Sequence, residues 1–210
     1  MDRVQLTRLL LITCIAYVAF FYFFGAAIKP GYSQLANFVS EYNATGTPWA
    51  GMLTYVGFVA TAVLLACFLF SAAPITHVSG ASRAGFWLLW SLPVSFLIGA
   101  VAPCDVGCPA EGSVSQDMHN LLGVLAYFGM GTSVALLSFA PGFRLYTPRR
   151  LFLLLSGFAF PLIFIIMVQS GFAPIRGLLQ RLLDVAMAVS LLLMAFTIMG
   201  ATQRPVGDAR

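Results

Sequence analysis

Acids, thiols and an imidazole gather in one short stretch between two long apolar segments. Residues 101–108 read VAPCDVGC, Glu111 follows, and residues 117–120 read DMHN. The chain is 60% hydrophobic and only 9% charged, so this concentration of titratable side chains needs a chemical or structural reason. We interpret the stretch as the centre of a candidate site.

His119 is the side chain in this stretch best suited to act as a general base, because the unperturbed pKa of histidine, about 6.5, lies nearest neutrality. Gly123 and Tyr127 follow it at helical spacing, where a small residue lets a ligand or a helix approach closely. Asp105 or Glu41 is expected to orient the ring, which makes His119, Asp105 and Glu41 the candidate catalytic residues. The alternative is that His119 caps its helix and bonds a loop carbonyl.

Cys104 and Cys108 have C-x-x-x-C spacing, which would close a small disulfide loop around Asp105 in an oxidising compartment. Two free thiols are the alternative. No cofactor is expected; a divalent metal such as zinc, held by the two thiolates and His119, is a further alternative.

Arg181 and Asp184 lie within an apolar segment, where charged side chains are costly and indicate function by default. They can pair with each other, or Arg181 can reach Glu41 or Asp105. A guanidinium can also bind an anionic group, such as a lipid phosphate, as a planar fork. The expected substrate-binding residues are Arg181, Ser40, Gln169, Asp184 and Tyr127.

Six apolar segments are long enough to position these residues, since a spanning helix needs about 20 mainly apolar residues. We expect helices over about 9–28, 52–73, 86–102, 119–140, 151–172 and 178–200. Residues 34–42 are expected to form a short interfacial helix. The sequence predicts an all-α, polytopic transmembrane bundle, with residues 1–210 as a single integral membrane domain.

The basic residues set the expected orientation, because Lys and Arg in short loops stay on the cytoplasmic side. With six spans, both termini share one side with most of the bases: Arg3, Arg8, Arg83, Arg144, Arg149, Arg150, Arg204 and Arg210. Lys29, Arg176 and Arg181 are left on the other side. Both termini are therefore expected in the cytoplasm and the candidate site at the outer membrane boundary.

Composition also bounds the partners. The net charge of +4 arises from bases in short loops, so no nucleic-acid partner is expected. Membrane lipids are the expected partners, and a homo-oligomer is left open. Neither the G-x-S-x-G motif of serine hydrolases nor the H-E-x-x-H motif of metalloproteases occurs.

Several short motifs resemble a family of prokaryotic integral membrane proteins known as domain of unknown function 998. The resemblance covers nearly the whole chain and rests on Tyr32-Ser33, Ser40-Glu41-Tyr42, Pro48, Pro103-Cys104-Asp105, His119 and Arg181. It implies a multi-helix bundle in a prokaryotic plasma or inner membrane, with no agreed reaction. A more distant likeness is to membrane hydrolases such as alkaline ceramidases, which hold zinc with several histidines; here His77 is expected on the opposite side from His119.

Three functions fit these features. The first is an enzyme that modifies a lipid or amphiphile by hydrolase-like acid–base chemistry at the outer leaflet. The second is a solute or proton-coupled transporter, although few ionisable residues lie in mid-membrane. The third is a non-catalytic module that binds lipid or a partner, in which the polar cluster only fastens the loops together.

Overall fold

Six helical stretches of the computed structural model are long and apolar enough to cross a membrane. The structure describes residues 1–143, 145 and 147–200. Within them the helices are α1 (Arg3–Ile28), α2 (Ala50–Leu53), α3 (Ala60–Ala72), α4 (Ala81–Leu88), α5 (Ser91–Val101), α6 (Val114–Leu137), α7 (Pro148–Met167) and α8 (Arg176–Thr197). A π-helical turn, Thr54–Val59, joins α2 to α3, and 3₁₀ turns cover Val39–Asn43, Ala73–Ile75 and Ser170–Ile175. The predicted all-α bundle of six spans is confirmed.

Every span begins before the residue at which its apolar segment begins, and polar side chains cap three of them: Asp2, Ser113 and Thr147. Ser113 accepts a hydrogen bond from the backbone N–H of Gln116, so α6 begins at Val114 rather than at His119. Asp2 and Gln5 form a capping box that starts α1 at Arg3. His119 therefore lies in the second turn of α6 and does not cap it.

Two prolines shape the bundle. Pro93 lacks an N–H and its ring clashes with the carbonyl four residues earlier, at Leu89, which is where α4 ends and α5 follows. Pro161 lies inside α7 and similarly frees the carbonyl of Gly157. A Cβ on Gly131 of α6 would lie 2.6 Å from that carbonyl oxygen, so the two helices cross at backbone contact.

The ends of the spans separate into two groups. Arg8 donates to the carbonyls of Ala195 (3.0 Å) and Met199 (3.3 Å), so α1 begins beside the end of α8. At the opposite end, which we call the polar end, α1, α5 and α7 finish and α6 and α8 begin. Arg144, Arg204 and Arg210, three of the bases used to predict orientation, lie outside the described residues.

The outer surface of the bundle is apolar. Phe23 (69% exposed), Tyr55 (72%) and Phe158 (70%) project from three different spans. A water-facing surface does not expose large side chains at this density, whereas lipid tails solvate them. The apolar surface and the six apolar helices together indicate a multi-pass membrane protein.

The loop between α1 and α2 folds inward rather than lying at the interface. The predicted interfacial helix over 34–42 is wrong: only Val39–Asn43 is helical, as a 3₁₀ turn. Glu41, Tyr42 and Asn43 are buried there. Hydrogen bonds to α8 hold the loop, among them Leu178 N–H to the Leu35 carbonyl at 3.0 Å. The loop thus forms part of the polar end.

Gly177 allows this contact, and its replacement by Ala is expected to destabilise the fold. A Cβ there would lie 2.4 Å from the carbonyl oxygen of Asn37 and 2.7 Å from that of Gln34. Because both are backbone atoms that cannot rotate away, we expect a loss of about 1–3 kcal/mol in the free energy of unfolding, read as a lower thermal midpoint in detergent. Gly171→Ala is the control, since nothing lies within 4 Å of its Cβ position; equal melting of the two variants would contradict the prediction.

Candidate functional site

A cavity of about 100 Å³ opens among the loop, α5, α6 and α8 near the polar end. On the basis of roughly 10–15 Å³ per water, it holds about seven to ten waters. Along α6 its lining extends from His119 to Met130, about 16 Å at 1.5 Å per residue. Its polar lining residues are Tyr22, Ser40, Ser95, His119, Tyr127, Gln180 and Asp184.

His119 is oriented by the backbone. Its Nδ1 lies 2.8 Å from the carbonyl oxygen of Ala102, at the end of α5. Since a carbonyl only accepts, Nδ1 must bear the proton and Nε2 keeps the lone pair of the neutral ring. Neither Glu41 nor Asp105 orients the ring, which corrects that expectation; the alternative of a loop carbonyl describes the contact.

Asp184 and Tyr127 line the cavity with hydrogen-bonding capacity to spare. The Tyr22 hydroxyl donates to Oδ2 of Asp184 at 2.9 Å. The Tyr127 hydroxyl accepts from the side-chain amide of Gln180 at 2.9 Å. Among the residues that the structure describes, no donor reaches the second Asp184 oxygen and no acceptor takes the Tyr127 hydroxyl proton. A free acceptor and a free donor therefore lie in the same cavity as His119.

Ser40 lines the cavity beside the cysteines. Cys104 and Cys108 are joined as a disulfide, and the Ser40 hydroxyl oxygen lies 3.2 Å from the Cys108 sulfur. The Cys104 sulfur lies 3.5 Å from the Ser40 carbonyl. The loop before α2 and the cysteine loop thus meet at the cavity.

Asp105 organises the turn between the cysteines and α6. Its carboxylate accepts from the backbone N–H of Ser113 at 2.8 Å and from the Ser113 hydroxyl at 2.9 Å. Its own N–H donates to the buried side chain of Gln116 at 2.7 Å. All these contacts position the start of α6, and Asp105 does not line the cavity.

Glu41 is fully engaged in holding the loop. Its carboxylate lies 3.0 Å from the Arg176 guanidinium and also accepts from Asn37 (2.7 Å) and from the Phe38 N–H (2.9 Å). Arg176 donates further to the carbonyls of Ala36 and Gly107, each at 3.0 Å. Arg176 rather than Arg181 is therefore the partner of Glu41, and the pair ties α8 to both loops.

Arg181 binds phenols and carbonyls rather than acids. It donates to the hydroxyls of Tyr32 (2.6 Å) and Tyr42 (3.4 Å) and to the carbonyls of Asn37 (3.2 Å) and Gly177 (2.9 Å). None of the predicted ion pairs of Arg181, with Asp184, Glu41 or Asp105, is formed. The guanidinium is directed at the loop and away from the cavity.

The two phenols that accept from Arg181 are neutral near pH 7, since the ordinary pKa of tyrosine is 10.0. Desolvation raises the pKa of Tyr32 and of Tyr42 further. Lys29 lies nearby and donates to the Tyr42 carbonyl at 2.9 Å. Desolvation lowers the pKa of Lys29, and Glu41 partly opposes the shift.

The cavity and the expected binding residues agree only in part. Ser40, Tyr127 and Asp184 line it with His119, whereas Gln169 is exposed and its side chain donates to the Ile165 carbonyl. The expected set omits Gln180 and Tyr22. Gln180 precedes Asp184 by four residues, a spacing that places both on one helix face; no pattern in α1 distinguishes Tyr22 from its aromatic neighbours.

Comparisons with known proteins identify a family. No curated protein and no solved structure matches the chain. The family described as "Protein of unknown function (DUF998)" matches residues 11–197, which include every residue that lines the cavity. The chain therefore belongs to the DUF998 family.

Proposed function

We propose that the protein is a membrane enzyme that carries out hydrolase-like acid–base chemistry on an amphiphile. One contrast supports this function. Glu41 and Arg176 bind each other and nearby loop groups outside the cavity, whereas His119, Asp184 and Tyr127 keep unused hydrogen-bonding capacity toward the cavity. Water can satisfy these groups in the empty cavity, and a substrate that displaces the water would take over the same hydrogen bonds.

Each free group has a distinct role in this proposal. Nε2 of His119 takes a proton from the nucleophile, which is water or the Ser40 hydroxyl. The Tyr127 hydroxyl donates to the oxygen on which negative charge develops. The free Asp184 oxygen accepts from a hydroxyl or ammonium of the substrate and thereby positions the headgroup.

A second cavity of about 70 Å³ supports an amphiphilic substrate. It lies between α1, α3, α5 and α8, is lined mainly by apolar side chains, and shares Tyr22, Leu92, Phe96 and Asp184 with the first cavity. A polar chamber that continues into an apolar one fits a headgroup followed by a short chain. The substrate is therefore a membrane amphiphile, reached from the outer leaflet if the bases of the opposite end are cytoplasmic.

Turnover of a labelled amphiphile panel tests this function, with Ala188→Phe as the diagnostic variant. Purified protein in nanodiscs is expected to release product from at least one headgroup class. Ala188 lines the apolar cavity, so a phenyl ring there should shift the preference toward shorter chains by about 10–200-fold, the range for small steric changes in an apolar pocket.

Val185→Phe is the matched control, because Val185 is on the same helix and 61% exposed on the outer surface. It should leave the chain-length preference unchanged. Absence of product from folded wild-type protein over ester, amide and phosphoester headgroups would overturn the proposed enzyme.

A proton-coupled carrier is the second candidate. Asp184 lies where the two cavities meet, the position that a transported proton would occupy. Leu65 and Leu191, which line the second cavity beyond Asp184, are buried and carry no group that could pass a proton on, which favours the enzyme. Acidification of vesicles containing wild-type protein but not Asp184→Asn, without product release, would reverse the ranking.

A further inference from the structure

Two cysteines and a histidine meet beside the cavity. The sulfur atoms of Cys104 and Cys108 and a ring nitrogen of His119 all lie within 4.8 Å of one another. The two sulfur atoms belong to the loop between α5 and α6, and the ring nitrogen belongs to the second turn of α6. The three side chains therefore join a loop to a helix. Two thiolates and an imidazole are a ligand set that zinc takes in proteins.

His119 is already arranged as a metal-binding histidine would be. Such residues almost always donate their second ring N–H to a carboxylate, a backbone carbonyl or water, which fixes the tautomer. Here Nδ1 donates to the Ala102 carbonyl at 2.8 Å, and Nε2 is left with its lone pair. The Ala102 carbonyl thus already holds the His119 ring as it would hold a metal-binding histidine.

The surroundings also leave room for a fourth ligand. His119 and Ser40 both line the 100 Å³ cavity, and the Ser40 hydroxyl oxygen lies 3.2 Å from the Cys108 sulfur. A water in the cavity or this hydroxyl can complete a tetrahedron. Zinc sites with three protein ligands and one open position are typical of this arrangement.

We propose that reduction of the Cys104–Cys108 disulfide creates a Zn²⁺ site formed by Cys104, Cys108 and His119. A dithiol reductant supplies two electrons and two protons: the S–S bond breaks, two thiols form, and the dithiol becomes a disulfide. Zn²⁺ then replaces the two thiol protons, which are released to solvent. The oxidised protein offers no thiolate at this site and does not bind the ion there.

The inference goes beyond the proposed enzyme, because it concerns metal binding and not turnover. It has one consequence for that enzyme: a Zn²⁺ ion bound to Nε2 removes the lone pair that the general base needs. Reduction together with zinc would therefore inhibit acid–base chemistry at His119.

Cobalt binding tests the site without any substrate. Purified full-length protein is reduced with dithiothreitol, freed of it by anaerobic gel filtration, and titrated with Co²⁺. We expect one ion per chain, with the thiolate charge-transfer band and tetrahedral d–d bands, displaced by Zn²⁺ with release of protons. The oxidised protein should show none of these bands.

His119→Ala is expected to weaken Co²⁺ binding by more than about 100-fold, since even the loss of an outer partner costs 10–100-fold. His77→Ala is the matched control, being the second histidine and at the other end of the bundle. The Cys14→Ser/Cys67→Ser variant keeps Cys104 and Cys108 and should bind normally.

Three results would overturn the proposal. They are a disulfide that the dithiol does not reduce in folded protein, equal Co²⁺ binding by reduced and oxidised wild type, and an unchanged cobalt spectrum in His119→Ala. All three measurements use wild-type protein or His119→Ala, which changes a single half-buried side chain. No substitution of Cys104 or Cys108, which could prevent folding, is needed.

Discussion

His119→Gln should lower amphiphile turnover by about 10²–10⁴-fold, the range that general acid–base catalysis contributes. Glutamine can still donate a hydrogen bond to the Ala102 carbonyl, which Nδ1 of His119 reaches at 2.8 Å. It has no group that accepts a proton near neutral pH. The variant should therefore keep the architecture of the cavity and lose the base.

Initial rates in nanodiscs, measured on oxidised and metal-free protein, provide the comparison. His77→Gln is the control for replacing a histidine with the same residue, because His77 is exposed and its backbone contacts Ile198 at the opposite end. Equal rates for His119→Gln and wild type, or an equal fall in both variants, would remove His119 from catalysis. Thermal melting should show that His119→Gln is folded.

Arg176→Gln should cost about 3–5 kcal/mol of the free energy of unfolding, the range for removing one partner of a buried ion pair. The side chains of Arg176 and Glu41 are only 21% and 9% exposed, so the 0.2–1 kcal/mol typical of exposed pairs does not apply. The substitution leaves a buried carboxylate without its cation and removes hydrogen bonds to the carbonyls of Ala36 and Gly107.

Thermal midpoints in detergent measure this effect. Arg83→Gln is the matched control, since Arg83 is exposed, and it should melt close to wild type. The double variant Arg176→Gln/Glu41→Gln should melt above Arg176→Gln, because it removes the uncompensated charge. If Arg176→Gln melts like Arg83→Gln, the pair does not hold the loop.

The variants His119→Gln and Arg176→Gln distinguish residues that line the cavity from residues that hold the loops at the polar end. Glu41, Arg176, Arg181 and Asp105 have protein partners and contribute to the position of the loops. His119, Asp184 and Tyr127 face the cavity with capacity left over. Stability should respond to the first group and turnover to the second.

The sequence by itself determined the class of fold and the meeting of distant residues at one end. Lipid tails do not accept hydrogen bonds, so each apolar stretch of about 20 residues must form a helix. Six such stretches alternate in direction, and Glu41, Asp105, His119 and Arg181 therefore lie near the same end. The starts of α1 and α6 were displaced because their capping residues, Asp2 and Ser113, are polar and do not extend an apolar pattern.

Only the tertiary structure decided which of these residues pair. Arg176 and Arg181 lie five residues apart on α8, and the rotation of that helix directs the first to Glu41 and the second to Tyr32. Likewise His119 contacts the Ala102 carbonyl because of how α5 and α6 pack. Sequence spacing gives the angle between two side chains on one helix. Which neighbouring helix or loop each side chain contacts depends on how all the helices pack, and no local sequence pattern encodes this packing.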